Sequence, residues 1–345
     1  MNRYDSWLAV DGPVAVMLKE PLEAVEGAEG IIFPPTFAPF EKAPAPNYVI
    51  DETSDGKTAL VDSVGSQANR MEPIFKEPPY AALVPKALVK IGARQIDLLD
   101  AGHRAADAVV RFSSKRKELA DAFRELADSG NATKMAKLAP TSLVFGVWDS
   151  RGTGVKVPRL VGATVRAFGV EPLTRAAQFF SALEKEETES FGQNQDFLSG
   201  EGLSDAPAGR TLGGVIARKG VVREALLNLV ALRSIAAAGA DETRKLQRYI
   251  LGLALVALTA PFKSYLRQGC LLVTANGEKP DQKLIRRDGS REPLPLDAKE
   301  ALAYAEIVAK DFGVGPGWEA TFERGAVDEA ATAAKAKKAK AKKGA

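Results

Sequence analysis

The chain has 345 residues, of which 46% are hydrophobic, so it can bury the core of one large domain or two ordinary ones. Its formal net charge is +3, but residues 333–345 hold six lysines and no acid, so the rest of the chain has a net charge of −3. A nucleic-acid site on residues 1–332 must therefore be a local basic patch. The single cysteine, Cys270, excludes an internal disulfide and a cysteine-based zinc site, and the single histidine, His103, excludes a two-histidine metal site.

The first part of the chain reads as short strands and helices separated by Gly- and Pro-rich segments. Apolar runs and turn residues predict an irregular loop at 27–46 and a hairpin at 87–99. The remaining predicted elements are strands at 13–18, 47–50 and 58–61 and helices at 62–72, 101–112 and 115–127.

The segment 62–72, with the sequence D-S-V-G-S-Q-A-N-R-M-E, is the one around which we organise the chain. An apolar stripe at helical spacing runs beside a polar stripe, which carries hydroxyls, an amide and a guanidinium suited to phosphate and sugar contacts. The apolar stripe is Val64, Ala68, Met71 and Phe75, and the polar stripe is Ser63, Ser66, Gln67 and Arg70. Asp62 or Ser63 is expected to cap the helix, and Pro73 is expected to push Glu72 out of helical geometry and end it.

The second part begins with an apolar run, and its later patterns are less uniform. The segment 160–170 fits a strand or a helix, and 187–210 is polar and Gly-rich, which indicates a mobile insertion. The other predictions are strands at 142–148, 221–232 and 270–274, a loop at 262–267, helices at 175–186 and 243–258, and a last helix that ends near 309. These elements indicate an α+β fold in one domain over 1–325, followed by an Ala/Lys-rich disordered tail at 326–345.

Basic residues beside Gly or aromatic residues recur in several loops. Such loops suit a groove for single-stranded nucleic acid, in which cations meet phosphates and aromatic rings stack on bases. The candidates, besides those of the 62–72 helix, are Trp148, Arg151, Lys156, Arg159, Arg210, Lys219, Lys263 and Arg267. Neither Gly-rich motif, 152–154 or 209–214, ends in the Lys-Ser/Thr of a P-loop, so nucleotide hydrolysis has little support.

Taken together and in order, five segments resemble the backbone subunit of type I-G (formerly I-U) CRISPR surveillance complexes, in the repeat-associated mysterious protein superfamily. The resemblance covers roughly residues 10–275. The segments are D-S-V-G-S-Q-A-N-R-M-E at 62–72, T-S-L-V-F-G-V-W-D-S-R-G at 141–152, G-R-T-L-G-G-V at 209–215, L-N-L-V-A-L-R at 227–233 and G-C-L-L-V at 269–273.

The resemblance implies a modified RNA-recognition-motif (ferredoxin-like) palm with finger and thumb insertions, in which an antiparallel sheet carries helices on one face. The thumb would lie within 187–220. Copies would polymerise along CRISPR guide RNA together with other subunits of the complex and meet a target nucleic acid, expected to be DNA. The RNA-binding residues would be those of the polar stripe with Asn69 and, less directly, the loop from Lys263 to Arg267.

The function implied is binding without catalysis, cofactor or metal, in the cytoplasm and without a membrane. The lack of a signal-peptide pattern at the start of the chain and of a long apolar run agrees with that expectation. Two alternatives stay open. One is a guide-RNA-processing endoribonuclease of the same superfamily with His103 as its base, although a histidine at a helix start is more simply a structural residue. The other is a metabolic α+β enzyme.

Overall fold

The structure is a computed structural model that describes residues 3–38 and 47–332. The strands are β1 (Ala15–Ala24), β2 (Thr36–Phe37), β3 (Asn47–Tyr48), β4 (Ile50–Thr53), β5 (Gly56–Asp62), β6 (Ala87–Ile91), β7 (Arg94–Asp97), β8 (Val147–Trp148), β9 (Lys156–Val157), β10 (Val161–Phe168), β11 (Val170–Phe179), β12 (Ala206–Ala217), β13 (Val221–Asn228), β14 (Tyr265–Arg267), β15 (Cys270–Thr274), β16 (Asp281–Ile285), β17 (Arg291–Pro293) and β18 (Trp318–Thr321). The α-helices are α1 (Val64–Met71), α2 (Ala108–Arg111), α3 (Arg116–Ser129), α4 (Thr133–Leu138), α5 (Thr141–Phe145), α6 (Lys185–Ser190), α7 (Gln195–Gly200), α8 (Leu229–Arg233), α9 (Ala240–Thr259) and α10 (Ala298–Phe312).

The main sheet runs in the order β14-β15-β1-β13-β10-β5-β4, with β16 and β17 added beside the first half of β1. The ladders along this path are antiparallel. Along the chain, β1, β10, β13 and β15 come in that order, with α1 between the first two and α9 between the last two. Such an order matches a split β-α-β arrangement and is consistent with an RNA-recognition-like fold. The predicted α+β class is confirmed.

One face of this sheet is buried under helices. Alternate residues of β1, β10 and β13 are buried, from Val16 and Leu18 in β1 to Ala225 and Leu227 in β13. The second half of the long helix α9, from Tyr249 to Leu258, is apolar all round, because the helix packs on the sheet with one side and on α10 with the other. Gly252 permits that close packing, since a Cβ there would stand 2.9 Å from the Cα of Ala305. The helix predicted at 243–258 is confirmed, and it ends two residues before Pro261.

Helix α1 forms with the cap that the sequence allows. The Ser63 hydroxyl accepts a hydrogen bond from the Ser66 amide at 3.3 Å, while Ala68 and Met71 are buried. The end of the helix differs from the prediction, because Glu72 keeps right-handed helical geometry and the chain continues as a 3-10 helix, Glu72–Lys76. Pro73 sits in the first turn of that 3-10 helix, where its missing N–H costs nothing.

Three helix or strand predictions are wrong. The apolar run 142–148 is mostly the buried helix α5, and only its last two residues form a strand, because such a run fits either element. In the segment 175–186, residues 175–179 belong to β11, and only 185 and 186 are helical, as the start of α6. The helix predicted at 101–112 is broken into a 3-10 turn, Arg104–Ala106, and α2, since Arg104 has a left-handed φ of 52° and Asp107 caps a new start. The open segment 160–170 is strand, and 221–232 is strand only to Asn228 before α8 begins.

The predicted mobile insertion is an ordered projection. Strands β11 and β12 pair over 170–217 and carry α6 and α7 at their free end. The projection therefore begins 17 residues before the predicted thumb boundary of 187 and contains most of that segment.

The region after 276 is integrated into the core. Tyr304 and Val308 of α10 are buried against α9, and β18 pairs in parallel with β6. Residues 324–332 are helical, so the first part of the predicted disordered tail is structured, while its lysines from 335 onward lie outside the described residues.

Candidate nucleic-acid interface

A cleft of about 760 Å³ opens between the β8–β9 hairpin and the segment 102–111. We call it the basic cleft. Its charged and aromatic lining residues are His103, Arg104, Arg111, Trp148, Arg151, Lys156 and Arg159. No Asp or Glu is among the lining residues, so the cleft concentrates one sign of charge on a body that is otherwise near neutral.

Most of these cations have no acidic partner in the part of the chain that the structure describes. Arg111, Arg151, Lys156 and Arg159 form no ion pair there, whereas some exposed cations elsewhere do, such as Lys90, which pairs with Glu319. Unpaired cations that share a concave surface repel one another, and an anion bound between them would relieve that repulsion.

Hydrogen bonds within the β8–β9 loop hold the backbone next to Arg151. The Asp149 carboxylate accepts hydrogen bonds from the Thr153 amide at 2.7 Å and from its hydroxyl at 2.9 Å. Beside Arg151, Gly152 lies so close to this carboxylate that a Cβ would come within 2.4 Å of it. The glycine pattern of this loop, a weak motif in the sequence, therefore serves loop geometry.

An aromatic ring stands beside the free cations. Trp148 is 60% exposed, and the Lys156 ammonium lies 5.7 Å from the ring centroid. A solvated tryptophan next to cations can stack on a base while the cations meet the adjoining phosphates.

The N-terminal end of α1 borders the basic cleft. Arg159 donates to the Phe145 carbonyl at 2.9 Å, and its Nη2 lies 3.9 Å from the point where a Cβ on Gly65 would stand. The Ser63 hydroxyl oxygen is 4.0 Å from the same point. Asn69 of α1 accepts a hydrogen bond from Arg104 at 3.2 Å. Thus Ser63 and Asn69 lie next to the cleft.

Arg104 differs from the other cleft cations because it is buried and paired. Its Nε lies 2.8 Å from Glu72 Oε2, and its guanidinium is 5.3 Å from the Phe145 ring. Burial raises the pKa of Glu72 to about 7, and the charge of Arg104 opposes this rise. This pair fixes the floor of the cleft, and the free cations line its wall.

Gln67 and Arg70, the other residues of the predicted polar stripe with known partners, belong to a buried network. We call it the Asp62 cluster, and it consists of Asp62, Gln67, Arg70, Arg223 and Arg267. Asp62 is 1% exposed and accepts hydrogen bonds from Gln67 at 2.7 Å, Arg70 at 3.0 Å and Arg267 at 2.9 Å. Arg70 also donates to the Leu266 carbonyl at 2.7 Å. Gln67 accepts from Arg223 at 3.0 Å, and Arg223 pairs with Glu20.

The Asp62 cluster changes the interpretation of the polar stripe. Gln67 is buried with its amide engaged at both ends, so it is not on an exposed binding face. Arg70 and Arg267 keep about a quarter of their side chains exposed while they share one carboxylate. Two guanidiniums on one carboxylate leave a net positive charge at this surface.

The remaining predicted site residues lie elsewhere. Lys219 donates to the Asp55 carbonyl at 2.6 Å near the end of β10 that is remote from Arg159. Lys263 pairs with Glu77 at 3.0 Å, and Ser66 is half-buried in α1. Arg210 lies in β12, in a short stretch whose side chains are outside the description. The structure therefore brings together Trp148, Arg151, Lys156 and Arg159, with Ser63 and Asn69 beside them.

Sequence reasoning missed Arg104 and Arg111 as cleft residues and Asp62 as the centre of a network. The first two stand in a segment that was read as one Ala-rich helix, whose broken backbone turns them toward the β8–β9 hairpin. Asp62 was considered only as a helix cap. Its burial follows from the pairing of β5 with β10, which the sequence did not show.

Over 3–38 and 47–332 the structure groups no set of three His, Cys, Asp or Glu residues that could hold a metal ion. Within the same ranges, none of the helices has the length and apolar character that crossing a membrane requires.

Part of the chain matches a known protein family. Residues 16–172 match the model of a protein family described as CRISPR-associated protein GSU0053 (Cas_GSU0053). The matched segment contains β1, α1, the lining residues of the basic cleft and three of the five residues of the Asp62 cluster. A search of curated proteins found no match to the chain.

Proposed function

We propose that this chain, whose residues 16–172 match a family of CRISPR-associated proteins, is a non-catalytic subunit that binds CRISPR guide RNA within an antiviral surveillance complex of type I-G. The observation that carries the proposal is the basic cleft, where four cations without acidic partners surround an exposed tryptophan.

The chemistry of the cleft suits the backbone of a single strand. Arg111, Arg151, Lys156 and Arg159 meet phosphates, and Trp148 stacks on a base without selecting its identity. Such binding is independent of sequence, which a subunit must achieve if it is to hold guides of many different sequences.

The polar residues of α1 extend this surface. Ser63 and Asn69 lie at the edge of the cleft, and Ser66 and Arg70 belong to the same helix. In this proposal Arg70 and Arg267 contribute the net charge of the Asp62 cluster to a neighbouring phosphate, while Gln67 acts by holding Arg223 and Asp62 in place.

The proposed assembly follows from the repetition of such a site. The antiparallel sheet is the palm, the β11–β12 projection is the thumb, and copies stack along one RNA beside other subunits and a target nucleic acid paired to the guide. Individually modest contacts then add along one strand, so assembly on RNA is much tighter than the binding of one copy.

The test compares a variant that lacks two unpaired cleft cations with a variant that lacks two paired cations elsewhere. Arg151→Ala with Lys156→Ala should abolish the co-purification of RNA, read as the ratio of absorbance at 260 to 280 nm, and weaken the binding of labelled guide RNA. The matched control, Arg124→Ala with Lys134→Ala, removes exposed cations that are paired with Asp121 and Glu125. Equal RNA binding by the two double variants would contradict the proposed site.

A second candidate function is favoured by one observation, since His103 is exposed and lines the basic cleft. Its imidazole is then within the RNA-binding surface of the proposal, where it could act as the base of an endoribonuclease. Incubation of the purified protein with labelled repeat RNA, with and without Mg²⁺, separates the two functions. We expect intact RNA, and cleavage that His103→Ala abolishes would favour the nuclease.

A further inference from the structure

The floor of the basic cleft rests on a buried carboxylate with one free oxygen. Glu72 is 1% exposed, and its Oε2 lies 2.8 Å from Nε of Arg104, which lines the cleft. Among the described residues, its second oxygen, Oε1, is buried and has no hydrogen-bond partner. Asp62 is equally buried, but both of its oxygens accept hydrogen bonds. Oε1 of Glu72 is therefore available to carry a proton.

The groups packed around Glu72 bring its two protonation states into balance near neutral pH. Burial raises the pKa of its carboxyl to about 7. The Arg104 guanidinium and a hydrogen bond from the Thr141 hydroxyl oppose this rise, and the charge of Asp97 adds to it. Arg159 of the cleft faces Arg104 and repels its charge. The charge of Glu72 thus responds to small changes in this surrounding charge.

The charge of Glu72 in turn changes how positive the cleft is. Besides His103, the lining residues include five cations, namely Arg104, Arg111, Arg151, Lys156 and Arg159. With Glu72 ionised behind them, the formal charge of the group is +4, and with Glu72 protonated it is +5. A phosphate in the cleft repels an ionised Glu72 through protein that screens charge less than water does, so it favours the protonated form.

We propose that Glu72 takes up a proton from solvent when the phosphates of an RNA strand occupy the basic cleft, which makes RNA binding tighter at pH 6 than at pH 8. The inference rests on the proposed function, in which RNA is the ligand of the cleft. Proton and RNA are reciprocally linked, because each raises the affinity of the protein for the other by the same factor. Glu72 acts through Arg104 and is a positioning residue.

The test must separate Glu72 from the imidazole of the cleft. A histidine side chain also changes its charge between pH 5 and 8, and His103 lines the cleft. Because His103 is the only histidine of the chain, His103→Gln in every protein compared removes this titration. An RNA with a 5′-hydroxyl end removes the titration of a terminal phosphate.

Titration of labelled RNA at several pH values measures the linkage. In the His103→Gln protein the affinity should fall by about two- to fivefold from pH 6 to pH 8 at constant ionic strength. Adding Glu72→Gln, which keeps the shape of the protonated acid, should give the pH 6 affinity at both pH values. The matched control Glu26→Gln removes an exposed carboxylate that does not line the cleft and should keep the pH dependence.

The outcomes distinguish this inference from the proposed function. RNA affinity that stays constant with pH in the His103→Gln protein, or a pH dependence that persists with Glu72→Gln, would overturn the inference and leave the proposed function intact. No RNA binding at any pH would overturn both.

Calorimetric titration in buffers of different ionisation heat counts the protons directly and decides the question even if Glu72→Gln does not fold. At pH 7.5 the His103→Gln protein should take up about 0.3 to 0.5 of a proton per bound copy. Thr141→Val removes a hydrogen bond to the ionised Glu72 carboxylate, so it should move the pH dependence to higher pH. No proton uptake, or a pH dependence that Thr141→Val leaves in place, would overturn the inference.

Discussion

The basic cleft and the Asp62 cluster are both rich in arginine, and both lie next to α1. They differ in whether their charged groups have partners of opposite charge. In the cluster one carboxylate, 1% exposed, receives hydrogen bonds from two guanidiniums and an amide. In the cleft, Arg111, Arg151, Lys156 and Arg159 have no acidic partner within the described chain. The charges of the cluster are thus paired within the protein, whereas these four cleft cations have no acidic partner among the described residues.

The comparison teaches that an arginine near the proposed RNA-binding surface has one of two roles. A paired, partly buried arginine stabilises the fold and contributes residual charge, and an unpaired exposed arginine contributes binding and little stability. Each prediction below changes one side of this comparison.

Removing the central carboxylate should have the largest effect. Asp62→Ala leaves two guanidiniums facing each other without their shared acceptor, and it should lower the free energy of unfolding by about 3–5 kcal/mol. Urea denaturation measures the loss. The control Asp121→Ala removes an exposed partner of Arg124 and should cost less than about 1 kcal/mol. Similar midpoints for the two variants would show that the cluster is not structural.

Replacing one arginine of the Asp62 cluster and, separately, one arginine of the basic cleft should separate effects on stability from effects on RNA binding. Arg70→Ala should lower the free energy of unfolding by about 1.5–3 kcal/mol, the value of hydrogen bonds to charged groups. Arg151→Ala should leave it unchanged within about 0.5 kcal/mol but reduce the salt dependence of RNA binding by about 0.7 in log–log slope. Urea denaturation and RNA titrations at several salt concentrations check both. An unstable Arg151→Ala protein would reverse the assignment.

The buried pair at the cleft floor should make stability depend on pH. The pKa of Glu72 is raised to about 7 by burial, above its usual 4.5, so the folded protein holds this proton more tightly. The stability that protonation confers is present below about pH 4.5 and is lost as pH rises through 7. Relative to Glu72→Gln, the free energy of unfolding of the unsubstituted protein should fall over this range by on the order of 1–3 kcal/mol. Denaturation at pH 5, 6, 7 and 8 measures it, and a difference that is constant with pH would contradict the burial argument.

The aromatic member of the cleft should affect binding alone. Trp148→Ala should weaken RNA binding by about 1–3 kcal/mol, the value of one stacked base, while the melting temperature stays the same because the ring is 60% exposed. Trp148→Phe should retain most of the affinity. If alanine and phenylalanine bind RNA equally well, the ring does not stack on a base.

Deleting residues 333–345 should have the smallest effect. Six lysines without an acid add affinity that is sequence-independent and salt-sensitive, so the salt slope of RNA binding should become shallower. Folding and the effect of Arg151→Ala should be unchanged. A truncated protein that aggregates would show that the tail has a structural role.

Local sequence patterns correctly predicted those elements whose secondary structure depends on neighbouring residues alone. Helix α9 and α1 with its Ser63 cap were predicted because a helical apolar period and a capping hydroxyl are short-range features. The strand at 142–148 and the helix at 175–186 failed because apolar runs and mixed segments take their structure from what packs against them. The site was predicted to a similar extent, since Trp148, Arg151, Lys156 and Arg159 share one cleft but Arg104 and Arg111 were missed.

The sequence by itself determined which side chains carry charge, where α1 and α9 form, and the resemblance that the family match bears out at the level of a CRISPR-associated protein. Only the tertiary structure decided which charges are neutralised. Asp62 accepts a hydrogen bond from Arg267, which is 205 positions away in the sequence. Arg104 pairs with Glu72 from a segment in which the predicted helix is broken. Pairing depends on distances of a few ångströms between segments remote in sequence, and it separates an arginine that supports the fold from one that is free to bind.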